Sequence, residues 1–471
     1  MQKHFLLFLL LLLSWASFSQ KNKKPSLPPV VAAYTVEDEA MIRKLYDEAL
    51  THGQSYAHLH FLCKNIGARL SASPQALQAV EWGRDAMKKM GFDTVYLQPC
   101  YVPQWVRGAE EGAIVSSNKN IAASIETFAL GGSVPTPTSG IKAEIIEVQN
   151  FDQLIEIGPE KIKGKIVFFN RPMDEKLINT FNAYGGCVNQ RVYGASEATK
   201  MGAVAVLVRS MTLLHDEHPH TGSMHYDSLL AKIPAAAIST QSADELSKKL
   251  KEDPRLEFLL RLGCQTLPEV LSYNVIGELR GSEFPKEYIV VGGHLDSWDK
   301  GEGAHDDGAG VVQSMEVLRI FKDLGLRPKH TLRAVLFMNE ENGARGAARY
   351  ADDAAKNKEK HIFAMESDRG GFTPRGFSLD MDSTFMLKIQ AWKPLLAVYG
   401  LHDIIPGGSG VDVGPLKKQN VPLAGFIPDP QRYFDYHHAD TDVFEAVNQR
   451  ELELGGASMA ALVYLIDKYW R

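Results

Sequence analysis

From residue 271 to the C-terminus the chain alternates short apolar runs with longer stretches of helical periodicity, and no other feature constrains its fold as strongly. The runs at 288–292, 331–338, 362–365 and 421–427 are dominated by Val, Ile, Leu, Phe, Met and Ala, the pattern of strands buried on both faces. Residues 308–324 set Val311, Val312, Met315, Leu318 and Leu324 on one helical face, and 451–469 predicts a terminal helix. Strands alternating with helices predict an α/β fold, a mixed twisted sheet with helices on both faces.

Upstream, residues 35–91 carry apolar positions at three- and four-residue spacing and predict helices. Residues 94–101 predict a strand that Pro103-Gln104-Trp105 ends. Two prolines within 135–139 mark a linker, and a second, smaller α/β unit follows. It has expected strands at 141–148, 165–169 and 203–208, expected helices at 195–201 and 242–250, and an apolar stretch at 233–238. Nothing in this unit is expected to be catalytic. His215, His218, His220 and His225 lie on one of its loops without a carboxylate or cysteine at zinc-site spacing, so they read as solvated. His220 is the member placed to lean over a neighbouring site.

The first residues have the layout of a secretory signal peptide: Lys3 and His4, an apolar run over 5–13, then small residues through Ser19. The run is shorter than the roughly 20 apolar residues a bilayer span takes, so cleavage near Ser19 is expected rather than stable membrane insertion. The mature chain is then exported, to a periplasm or the extracellular space. The next segment, with Lys21, Lys23, Lys24 and three prolines, reads as an extended tail or propeptide. The net charge of -6 argues against nucleic acid as a partner, because phosphate binding needs a basic surface. Cys63, Cys100, Cys187 and Cys264 form no CxxC pair and read as buried free thiols.

The polar residues of the last segment fall at strand ends, where open α/β sheets bind ligands. The run at 288–292 leads into His294 and Asp296, the run at 331–338 into Glu340 and Glu341, and the run at 362–365 into Glu366 and Asp368. The run at 421–427 leads toward His437 and His438. Between the first strand and its helix lies Gly303-Ala-His-Asp306-Asp-Gly308. A mixed set of imidazoles and carboxylates suits zinc. Two ions held about 3.5–4 Å apart need a shared anionic ligand, and a carboxylate offers one oxygen to each. The glycines around Asp306 permit the sharp turn such a ligand needs. There is no HExxH, and Gly407-Gly-Ser-Gly410 is not a nucleophile elbow. That segment reads instead as close backbone approach to substrate at Ser409 and Gly410.

His294-x-Asp296, Gly-Ala-x-Asp306, Glu340-Glu341, Asp368 and His438, in this order, resemble the zinc aminopeptidase and glutamate carboxypeptidase superfamily. Ile66-Gly-Ala-Arg-Leu70, Pro103-Gln-Trp105 with Arg107-Gly108, His294-Leu-Asp-Ser-Trp298 and Glu366-Ser-Asp368 look like its plasma glutamate carboxypeptidase (carboxypeptidase Q) branch. The resemblance implies two zinc ions per chain: His294 and Asp368 on one, Glu341 and His438 on the other, Asp306 bridging. It implies Glu340 as general base and Asp296 as the group fixing the His294 ring through its other nitrogen. His438 is preferred to His437 because Asp442 follows it at the family's spacing. The middle unit is similar to a protease-associated domain. The implied organisation is a signal peptide at 1–19, a tail and the first part of the peptidase domain at 20–109, the insert at 110–265 and the main peptidase part at 266–471. A homodimer is implied, as is a short peptide or dipeptide substrate with free ends. Its carboxylate calls for an arginine fork. Arg369 is the candidate, together with Ser409 and Gly410, while Arg375 fits a surface role better. Two other functions occur on this fold: a non-enzymatic receptor, which the complete ligand set argues against, and a glutaminyl cyclase-like acyltransferase, which the insert argues against.

Overall fold

Four parallel strands form the centre of an eight-stranded mixed sheet in the computed structural model, which describes residues 33–470 apart from 117 and 119. The predicted signal peptide and the tail behind it lie outside the described residues. The central strands are His330–Phe337, Phe284–His294, Lys360–Glu366 and Leu423–Pro428, side by side in that order. They are apolar because both faces are covered. Ile289 and Val291 point to a core formed with the helices Val36–His52, Ala309–Asp323 and Gln449–Tyr469, while Val290 points the other way, toward Ala347, Tyr350 and Ala351 of the helix Arg345–Asn357. Because the four strands are parallel, their carboxyl ends share one edge.

Antiparallel strands make the sheet mixed. Gln265–Leu279 and then Thr94–Val106 extend one side; Pro374–Asp380 and then Asp403–Pro406 extend the other. The last two were not predicted. Pro374–Asp380 contains Pro, Arg, Gly and Ser, and Asp403–Pro406 is four residues long, so neither offers an apolar run. The strand expected to stop at Tyr101 instead continues to Val106. A register shift between Val102 and Gln104 lets Pro103 sit in an irregularity of an edge strand, where its missing N–H interrupts no inner ladder.

Thr94–Val106 and Gln265–Leu279 pair antiparallel along their length, so Val106 and Gln265 are neighbours. The intervening chain leaves and returns at that point and builds a second eight-stranded sheet from strands between Glu110 and Leu262. Predicted strands appear there as Ile141–Val148, Ile166–Phe169 and Ala205–Arg209, and the apolar stretch at 233–238 contains the strand Ala235–Ile238. The expected helices are Gly194–Lys200 and Thr240–Glu252. All four cysteines are buried and free. Among the described residues no helix is long and apolar enough to cross a membrane.

Candidate metal centre

The loops leaving the central strands bring the predicted residues together. His294 ends its strand, and its Nε2 lies 3.2 Å from Asp306 Oδ1 and 3.5 Å from Asp368 Oδ1. On the other side of the same carboxylate, His438 Nε2 lies 3.4 Å from Asp306 Oδ2 and 3.3 Å from Glu341 Oε2. His437 stacks on the His438 ring at 3.5 Å, but its own Nε2 is 3.9 Å from Asp306. Asp306 therefore has one oxygen toward each of two histidine–carboxylate pairs.

The surrounding residues explain why Asp306 is held there. Asp442 Oδ1 accepts from the His305 N–H at 2.7 Å and its Oδ2 accepts from the Asp306 N–H at 3.0 Å. The neighbouring Asp307 carboxylate accepts from the N–H groups of His294 and Gly310, both at 2.9 Å, tying the strand end to the start of the helix Ala309–Asp323. Arg69, from the Ile66-Gly-Ala-Arg-Leu70 motif, is fully buried and donates to the carbonyls of Leu295, Glu302 and Gly303 at 2.6, 2.6 and 2.9 Å.

Asp296 meets the other nitrogen of the His294 ring through its main chain. The His294 Nδ1 faces the main-chain carbonyl of Asp296 at 2.9 Å, not its carboxylate, which is 3.9 Å away. Asp296 Oδ1 instead accepts from the N–H groups of Asn339 and Glu340 at 2.6 and 3.1 Å. It fixes the turn that presents Glu340, a turn in which Asn339 takes a left-handed φ of 75°.

Glu366 binds no ligand position directly. Its carboxylate accepts from the N–H groups of Val411, Asp412 and Val413 at 2.9, 2.8 and 2.7 Å. Gly410 is required at its place because a Cβ there would lie 2.1 Å from Glu366 Oε1. The close approach that the glycine allows is thus to Glu366, while Ser409 beside it is buried. Arg369 lies over the Phe181 ring at 5.3 Å and donates to the Gly408 carbonyl at 3.4 Å. Arg375 pairs with Asp429 at 2.6 Å, away from the ligands.

The donor set fits divalent cations. Asp306 Oδ2, Glu341 Oε1 and Asp368 Oδ1 are buried without a hydrogen-bond partner. Burial and the Asp306 carboxylate hold Glu341 well above the usual carboxylate range. Burial, with Asp368 and Asp306 nearby, pushes Glu340 up to about 8 against the pull of His294. Burial and Asp368 bring Glu366 to about 8 as well. His294 is the converse: burial alone would lower it, yet Asp306 and Asp368 hold it well above an ordinary imidazole. A concentrated buried negative charge of this kind is what a cation relieves.

A pH dependence follows with a definite sign. Acids raised in the folded state keep protons that the unfolded chain releases above about pH 4.5, so the stability of metal-stripped protein falls as pH rises from about 4.5 to about 8. A cation bound to the folded state opposes this fall. Thermal melts of chelator-treated protein across that window should show Tm dropping with pH, and zinc-saturated protein should show a smaller drop. Parallel profiles would contradict the cation reading of the cluster.

The second sheet's unit contributes more than its sequence suggested. His215 and His225 are exposed, but His220 is 2 % exposed, which corrects the reading of this loop as solvated. Its Nδ1 donates to the His437 carbonyl at 2.7 Å, and packing under that carbonyl buries the ring. Arg191, Tyr184 and Thr221 of the same unit also reach His438 or its neighbour: Arg191 Nη1 is 3.3 Å from His438 Nδ1, and the Tyr184 ring meets His437 edge-on at 5.3 Å. Tyr433 is a further buried neighbour, its phenol raised well above 10 by burial and by Asp306 and Asp368. No spacing rule marks these residues.

A profile of peptidase family M28 matches residues 274–463. Carboxypeptidase Q of Bos taurus is 34% identical over 413 residues, spanning 88% of this chain and 85% of that protein. Carboxypeptidase Q of Xenopus laevis is 35% identical over 429 residues, spanning 90% and 89%. Among solved structures, a peptidase M28 precursor from Shewanella amazonensis SB2B matches with a TM-score of 0.85 at 32% identity, over 92% of this chain and 97% of that one. A zinc aminopeptidase from Bacillus subtilis matches in fold, with a TM-score of 0.62 at 20% identity over 87% and 93%.

Proposed function

This chain belongs to peptidase family M28 and is a metallopeptidase, and from that premise we propose that it is a two-zinc exopeptidase acting on dipeptides or short peptides with free ends. The observation that carries the reading is the Asp306 carboxylate, with its two oxygens 3.2 and 3.4 Å from the Nε2 atoms of two different histidines. His294 and Asp368 would hold one ion, His438 and Glu341 the other, and Asp306 both. Zinc in such a pair lowers the pKa of water at the site and polarises the scissile carbonyl.

Glu340 is the general base. Its carboxylate takes a proton from the water that attacks the scissile carbonyl and delivers it to the departing amine nitrogen as the C–N bond breaks. The carboxylates that raise Glu340 here are the ones a bound cation would neutralise, which would return it toward the ionised form a general base needs. Asp296 holds Glu340 through its main-chain N–H, leaving the side chain free for substrate.

At the substrate ends, the acidic cluster receives the ammonium group. Arg369, beside Asp368 and stacked on Phe181, meets the free carboxylate, with Ser409 and Gly410 lining the approach. The name carboxypeptidase Q of the relatives supports the requirement for a free C-terminus. The same reading includes export after removal of residues 1–19, a protease-associated insert at 110–265 and a homodimer.

Free dipeptides should be hydrolysed, N-acetylated ones should not, and dipeptide amides should be cut more slowly. Arg369→Ala should raise KM for free dipeptides more than for their amides. Comparison of kcat and KM across the three substrate types checks this. Cleavage of an internal bond in a long, doubly blocked peptide at the dipeptide's rate would show an endopeptidase instead.

A further inference from the structure

The loop around Thr221, between the strands Ala205–Arg209 and Ala235–Ile238 of the second sheet, lies against the segment that carries His437 and His438. The Thr221 N–H donates to the His438 carbonyl at 3.0 Å, and His438 Nδ1 faces the Thr221 carbonyl at 3.2 Å. One residue earlier, His220 Nδ1 donates to the His437 carbonyl at 2.7 Å; two residues before that, His218 Nδ1 is 2.8 Å from Asp440 Oδ1. His438 has a φ of 66°, a left-handed conformation that a residue other than glycine keeps when its surroundings fix it.

We propose that residues 218–222 of the second sheet's unit form a positioning clasp that sets the tautomer and direction of His438 and so controls the affinity of the ion on the His438–Glu341 side. The proposal rests on the two-ion reading above. Imidazole ligands are generally oriented by the hydrogen bond of their other nitrogen. His294 has this partner within its own loop, the Asp296 carbonyl. His438 takes it from Thr221, across from the other sheet.

The chemistry around His438 Nδ1 supports the assignment. Arg191 Nη1 is 3.3 Å from that nitrogen and 3.5 Å from the Thr221 carbonyl, and Arg191 Nη2 donates to the Tyr184 hydroxyl at 2.7 Å. A guanidinium only donates, so of these two neighbours the Thr221 carbonyl is the acceptor. With the proton on Nδ1 and donated to that carbonyl, the Nε2 lone pair is directed at Asp306 and Glu341, whereas in the opposite tautomer Nδ1 would accept from Arg191 Nη1. Thr221 is itself fully buried and fixed: its hydroxyl donates to the Ala129 carbonyl at 2.8 Å and accepts from Arg107 Nη2 at 3.3 Å. Arg107 in turn grips Asp299, on the loop that follows His294, at 2.6 Å. Gly222, with φ at 130°, has no room for a side chain, because a Cβ would lie 2.5 Å from both His438 Nδ1 and Arg191 Nη1.

The test uses the full mature chain loaded with zinc, a graded chelator competition and zinc retained per chain as the readout. The parent should release its two ions in two steps. In His220→Ala and Gly222→Ala one step should move to a chelator level about 10–100-fold lower, the usual effect of losing an outer partner of a metal ligand, while the other step stays in place. His220→Asn, whose side-chain N–H replaces Nδ1–H, should restore the parent profile, which a general loss of packing would not allow. If Gly222→Ala fails to fold, the His220→Ala and His220→Asn pair decides alone. Equal weakening of both ions, no weakening, or an Asn variant as weak as the Ala variant overturns the clasp. A parent that takes up fewer than two ions overturns the two-ion reading and the clasp with it, whereas a two-ion parent with unchanged variants overturns the clasp alone.

Discussion

Glu340→Gln is expected to retain both zinc ions and to lose activity by a factor of about 10²–10⁴, the usual worth of a positioned general base. The side-chain amide matches the carboxylate in size but cannot take the proton from water. The turn survives, because Asp296 holds the main-chain N–H of residues 339 and 340 and does not depend on the Glu340 side chain. The substitution also removes a half-buried acid that the cluster keeps raised, so folding should not suffer. Steady-state kcat measured beside zinc content checks this. Zinc loss in Glu340→Gln, with Glu341→Gln keeping zinc and losing only activity, would reverse the two roles.

Asp306→Ala should have the larger effect: loss of both ions and of all measurable hydrolysis. Removing the carboxylate leaves each histidine with one carboxylate partner, His294 with Asp368 and His438 with Glu341. It also removes the charge that offsets the repulsion between two dications. The loop itself should persist, since Asp442 binds the main chain at 305 and 306 and Arg69 binds the carbonyls of 302 and 303. A folded Asp306→Ala protein that still carries its full zinc would exclude Asp306 as the bridge.

The strand-end residues were legible in the sequence because parallel buried strands are continuous apolar runs, and each run here leads into or toward a histidine or carboxylate. Their parallel order brings those stops to one edge, as the distances around Asp306 reflect. The parts that were not legible share a physical cause. Asp296 meets the other nitrogen of the His294 ring with its main-chain carbonyl, and nothing in a residue's identity marks the use of its carbonyl. Thr221 acts on His438 in the same way, and Arg191 sits on a four-residue helix with no periodicity to read. Pro103 was read as a strand end because a proline interrupts a ladder, but at a sheet edge it interrupts little.

The central claim is a pair of ions joined by Asp306, and the most direct measurement is anomalous scattering from crystals of the zinc-loaded chain, collected on both sides of the zinc absorption edge. Two peaks about 3.5–4 Å apart are predicted, one beside His294 and Asp368, the other beside His438 and Glu341, with an Asp306 oxygen on each. A single peak, or a second peak away from Asp306, would contradict the account.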